Sequence, residues 1–91
     1  MLKDRIKLNL GITHEALDSE ITARIESGKK EYIRLGISRE KATGDDPLIN
    51  DGLIAFVCKT LASDKAEREG WDRSWQIIST ALKDTSAYHE E

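Results

Sequence analysis

One cysteine, one proline and five aromatic rings are all that this 91-residue chain contains of those residue types. A lone cysteine cannot form an internal disulfide. Cys58 also sits inside an apolar run, which makes it a reduced core residue of a cytosolic protein. With one proline and six glycines the chain has few sharp turns to offer, which suits a small number of long helices. No apolar run approaches the roughly 20 residues that span a bilayer, and Met1 to Leu10 lacks the apolar centre of a signal peptide. An excess of basic charge is missing too. The formal net charge of −3 argues against a nucleic-acid binder, whose affinity comes chiefly from clustered Lys and Arg.

What the chain does have is one long greasy stretch, D-D-P-L-I-N-D-G-L-I-A-F-V-C-K-T-L-A, from Asp45 to Ala62. Leu53 to Cys58 are apolar without a break, and six consecutive residues at about 100° each point all around a helix. Asp46 followed by Pro47 reads as an N-cap and first helical residue, because the carboxylate accepts from free backbone N–H groups and proline has none to waste. The stretch therefore predicts a central buried helix over about Pro47 to Ala62. A buried strand is the rival reading, and Leu48, Ile49 and Leu61 on the flanks make the span too long for it.

The remaining segments read as its cover. Leu2, Ile6 and Leu10 fall at i, i+4, i+8 in a short amphipathic helix that Gly11 closes in the left-handed conformation, with Ile12 folding back on the last turn. Thr13 or Asp18 opens a second helix whose stripe is Leu17, Ile21, Ile25, Gly28, Tyr32 and Leu35. Acids gather at its start and bases at its end, as the helix dipole prefers, and Gly36 with Ile37 repeats the closing pattern. Ser38 to Asp46 is polar, holds Gly44 and reads as a long exposed connection, the kind of segment that often carries binding function. Ser63 or Asp64, with Glu67 in the capping-box position, opens the last helix, although Gly70 can delay its regular part. Trp71, Trp75, Ile78 and Leu82 form its stripe, widened by Ile77 and Ala81. After Lys83 periodicity ends, and residues 84–91 read as a flexible tail.

The chemistry-bearing patterns fail on inspection. A phosphate loop around Gly28-Lys29 would need a glycine where Ala23 stands and a hydroxyl where Lys30 stands. A calcium loop at Asp51-Gly52 would need acids at Ile49 and Pro47. His14 and Asp18 are four apart but only two, too few for a metal site. His89 lies in the tail, and no Gly-x-Ser-x-Gly elbow places a nucleophile. The expectation is a protein that is not an enzyme and needs no metal or cofactor.

The order of these features resembles a known family. The start L-K-x-x-I-K-L-x-L-G-I-T, the helix D-S-E-I-T-A-R-I-E-S-G-K-K-E-Y, the turn L-G-I-S, the run D-D-P-L-I-N-D-G-L-I-A-F-V, then D-x-x-E-R and S-W-Q-I-I-S-T-A-L resemble the head-tail connector (adaptor, head-completion) proteins of tailed bacteriophages and prophages. The likeness runs from Leu2 to about Leu82 and is most specific from Asp45 to Val57. The chain departs from the pattern after the central helix, where S-D-K-A-E-R-E-G-W replaces a short loop containing an aromatic residue and proline. The resemblance implies a structural protein of the virion, present in the bacterial host cytoplasm during assembly. It would dock as a dodecameric ring on the portal protein, join the capsid to a stopper or tail-completion protein, and let DNA pass without specific binding.

These readings combine into one expectation: an all-α bundle of about four helices in residues 1–83. Its core is Ile21, Ile25, Leu48, Ile49, Leu53, Ile54, Phe56, Val57, Leu61, Trp75, Ile78 and Leu82. Candidate interface residues are Lys29, Lys30, Arg34, Arg39, Lys41, Asp84 and Tyr88. Portal contact is expected in the tail and last helix, and subunit contact in the second helix and the Ser38 to Asp46 segment. The alternative is a small soluble helical regulator that binds a single protein partner, with no membrane involved in either case.

Overall fold

The computed structural model describes residues 2–44, 46–85 and 88. The fold is all-α, with five helices: α1 (Leu2–Leu10), α2 (Asp18–Arg34), α3 (Arg39–Thr43), α4 (Pro47–Leu61) and α5 (Lys65–Lys83). The fifth element is α3. It lies within the segment expected to be an open connection, where the Ser38 hydroxyl accepts from the Lys41 N–H at 3.2 Å and so starts a single short helix.

Helix α4 is the axis, packed against α1, α2 and α5. Its start is set as the Asp46-Pro47 pair predicts, with the Asp46 carboxylate accepting from Leu48 N–H at 2.9 Å and Ile49 N–H at 3.1 Å. Ile49, Gly52, Leu53, Ile54, Ala55, Val57 and Cys58 are buried. Burial pushes the Cys58 thiol up to about 11, so it stays protonated at neutral pH. Phe56, Leu61 and Ile78 are half-buried and pack on this core, together with Leu2, Leu10, Leu17, Leu35 and Trp71. Leu48 departs from the expectation. It is 37 % exposed, because in the first turn of α4 the inward positions go to Ile49 and Gly52.

Two glycines let α2 and α4 meet closely. A Cβ on Gly28 would lie 2.7 Å from Leu53 Cδ2 and 3.1 Å from Phe56 Cδ2, and one on Gly52 would overlap the Tyr32 hydroxyl. Tyr32 is wholly buried and donates to the Ile49 carbonyl at 3.1 Å, while burial raises its phenol. Its ring lies 5.1 Å from Trp75, and Phe56 meets Trp75 edge-on at 4.9 Å. This aromatic trio joins α2, α4 and α5.

The closing glycines behave as the sequence predicts. Gly11 (φ 70°) and Gly36 (φ 97°) are left-handed, and Ile12 and Ile37 donate back to the carbonyls of Lys7 at 2.9 Å and Tyr32 at 3.0 Å. Of the two readings of the α2 start, Asp18 holds: it is the first residue of the helix, although not its cap, since the N-cap position is Leu17 without a side-chain cap. Asp18 instead pairs with Lys7 at 2.9 Å and Lys3 at 3.5 Å, tying α1 to α2. The Lys7 contact, with the charge of both lysines, keeps its carboxyl below the usual range. Helix α5 runs straight through Gly70. Its first turn is held by Asp64, which accepts from Glu67 N–H at 3.1 Å, and by Arg68, which donates to the carbonyls of Ala62 (3.2 Å) and Ser63 (3.0 Å).

Tyr88 is not part of a free tail. Its carbonyl accepts from Ser38 N–H at 2.7 Å and its hydroxyl donates to the Asp46 carboxylate at 3.1 Å, with the Lys41 ammonium 5.7 Å from its ring. The other residues assigned to that tail beyond Thr85 lie outside the described residues, His89 among them.

Candidate functional site

The basic residues singled out in the sequence do not form one site. Lys29, Lys30 and Arg34 are on α2, and Arg39 and Lys41 are on α3. Lys29 pairs with Glu26 at 3.3 Å, and Arg34 donates through Nε to Glu31 at 2.9 Å, each within its own helix. Lys41 lies over Tyr88. Of these five cations, Lys30 and Arg39 are exposed and have no partner among the described residues. Asp84 is the exposed C-cap of α5, and Tyr88 is spent on Asp46 and Ser38. His14 also has a local task, its Nδ1 accepting from Ala16 N–H at 3.2 Å. Among the described residues no group of three or more His, Cys, Asp or Glu is placed to hold a metal ion.

Two grooves flank α5. The larger, about 640 Å³, lies where the end of α4 meets the start of α5. Its cations are mostly engaged: Lys59 with Asp72 at 3.4 Å, Lys65 with Glu69 at 3.9 Å, and Arg68 with the α4–α5 turn. Arg73 alone points to no partner among the described residues. This groove is chiefly the clasp between two helices.

The second groove, about 250 Å³, is different in kind. Helix α4 supplies its floor with Ile54 and Ala55, α5 one wall with Trp71, Ser74 and Ile78, and α1 the other with Arg5 and Asn9. Helices α1 and α5 pack on α4 more than on each other, which leaves this furrow open along α4. Its only charges are Arg5 and Asp51, 3.1 Å apart and each about half exposed. Three large apolar side chains are exposed among the described residues: Leu8 (82 %), Ile77 (64 %) and Leu48 (37 %). Leu48 stands on α4 three residues from Asp51, beside this furrow. Ile77 is three residues from Ser74 but four from Arg73 of the larger groove, so it lies on the ridge between the two, and Leu8 is on the side of α1 away from the core.

Sequence reasoning placed Ile77 on the covered stripe and did not single out Leu8. The signal for Leu8 was present, since the spacing that buries Leu2, Ile6 and Leu10 turns position 8 to the opposite side. The arrangement offers apolar contact and one open ion pair, with no nucleophile activated by a neighbouring base.

No protein-family model, no curated protein and no solved structure matches this chain. Among the described residues no helix is long and apolar enough to cross a membrane.

Proposed function

We propose that the protein is a head-tail connector of a tailed phage or prophage, a structural and non-catalytic component that docks on the portal as a ring and joins capsid to tail. The reading rests on the family resemblance stated above. It is supported most by one observation: the run Asp45 to Val57, where the resemblance is most specific, holds the Asp46 cap and most of the buried helix α4 around which α1, α2 and α5 are arranged. With the inward faces of those helices spent on α4, what remains is surface, and surfaces are what a connector works with. The mixed charges of α2 and α5 suit contacts between neighbouring copies in a closing ring.

Truncation of residues 84–91 is a poor probe of portal contact, because it also removes Tyr88 from Asp46 and Ser38. The better experiment is electron microscopy of the purified protein, alone and mixed with portal-bearing capsids from the same genome. Rings, or capsids decorated at the portal vertex, are the expected result. A discrete monomer or dimer that leaves capsids undecorated contradicts the proposal and favours the single-partner regulator.

A further inference from the structure

We infer that the groove between the end of α4 and the start of α5 binds an acidic peptide segment of a partner protein, with Arg68 and Arg73 receiving its carboxylates. The inference does not depend on the connector reading and applies equally to a single-partner regulator.

Its basis is where the charge lies. Four cations (Lys59, Lys65, Arg68 and Arg73) and two acids (Glu69 and Asp72) line the groove, an excess of two positive charges. The rest of the chain holds ten cations and fifteen acids, so a molecule of net charge −3 carries −5 outside this groove and +2 within it. A cleft of one sign concentrates ligands of the other.

The clasp leaves that excess on two particular side chains. Asp72 pairs with Lys59 at 3.4 Å and accepts from Gln76 at 2.8 Å, and Glu69 meets Lys65 at 3.9 Å. Arg68 donates through Nη1 to the carbonyls of Ala62 and Ser63, which fix its guanidinium without cancelling its charge. Its Nε and Nη2 groups make no hydrogen bond among the described residues. Arg73 is exposed and has no partner there at all. A guanidinium with two N–H groups to spare meets a carboxylate through a pair of parallel bonds. At about 100° and 1.5 Å per residue, the two arginines stand on opposite edges of the groove-facing stripe of α5, about 7.5 Å apart along its axis. Carboxylates on alternate residues of an extended segment are about 7 Å apart, so one segment can engage both.

A peptide suits the groove better than a phosphate backbone does. Nucleic acid carries a charge at every step and would meet Glu69 and Asp72 as well, whereas a peptide sets neutral residues against them. Ile77, 64 % exposed on the ridge beside Arg73, adds an aliphatic contact that a peptide side chain can use.

The test is fluorescence anisotropy of a labelled peptide of alternating glutamate and serine with one central leucine, titrated with the full chain from about 10 μM to about 1 mM, a range that spans weak specific binding. An oligothymidylate of similar length and a peptide with lysine for glutamate are run beside it. The acidic peptide should bind within that range and the lysine peptide should not. Arg73→Glu should weaken binding about ten-fold, and Lys30→Glu, at an exposed cation on α2, should leave it unchanged. Circular dichroism checks that both variants are folded, as expected at exposed positions. No binding of the acidic peptide at about 1 mM overturns the inference, and so does a Lys30→Glu loss equal to that of Arg73→Glu. Tighter binding of the oligothymidylate overturns it in favour of a phosphate-binding surface.

Discussion

At the scale of single residues, stability is decided where α2 and α4 touch. Gly52 has no side chain because the Tyr32 hydroxyl occupies the space, with Ile78 Cγ2 also 3.0 Å from a notional Cβ. Gly52→Ala should therefore destabilise by about 2 kcal/mol or more, although alanine is intrinsically the better helix former by about 1 kcal/mol. Tyr32→Phe removes the bond to the Ile49 carbonyl, at about 1 to 2 kcal/mol. Since it also vacates the space that the alanine methyl needs, the double variant should be more stable than the sum of the single losses implies. Denaturant unfolding of all four members of that cycle measures the coupling, and strict additivity would show that the two groups do not compete. The aromatic trio sets a second ranking. Trp75 is buried and Phe56 only half so. Trp75→Ala should cost about 3 to 5 kcal/mol, and Phe56→Ala less, though a sequence view of Phe56 as fully buried gives it the same range. Thermal melts in the reverse order would contradict the packing described.

At the scale of elements, the helix starts and stops are local chemistry, and most of them are readable in the sequence. The Asp46-Pro47 cap, the glycine closures at Gly11 and Gly36, and the Asp64 start of α5 each need only two or three adjacent residues to be recognised. Helix α3 could not be read that way, because five residues of R-E-K-A-T are too few to show a period. Nor could the seat of Tyr88, a single aromatic in an aperiodic stretch whose partner Asp46 is 42 positions away. That seat makes Asp46 the most connected cap in the molecule. The bond from Ile49 N–H first, then those from Tyr88 and Leu48, hold its carboxyl below the usual carboxylate range of about 4. A carboxyl with a lowered folded pKa binds fewer protons folded than unfolded, so its contribution is complete above pH ~4 and is lost as pH falls through the lower folded value. Asp46→Ala should cost about 1 to 2 kcal/mol at neutral pH, and its stability should fall less steeply than that of the wild type between pH ~5 and pH ~2. Parallel acid-unfolding slopes would mean that Asp46 is not the group being protonated.

At the scale of the whole molecule, the central helix was legible because six unbroken apolar residues leave no dry side. The furrow was not, because it exists only where α1, α4 and α5 fail to close over one another. Leu48 and Ile77 look inward in a linear pattern and turn outward only in three dimensions, and Arg5 and Asp51 are 46 positions apart. Helix α4 holds the molecule together, with α1, α2 and α5 packed on it. Amide hydrogen exchange tests this most directly. Residues 53–58 should exchange most slowly of all, and more slowly than the exposed faces of α1 and α5. Fast exchange in the middle of α4 would contradict it.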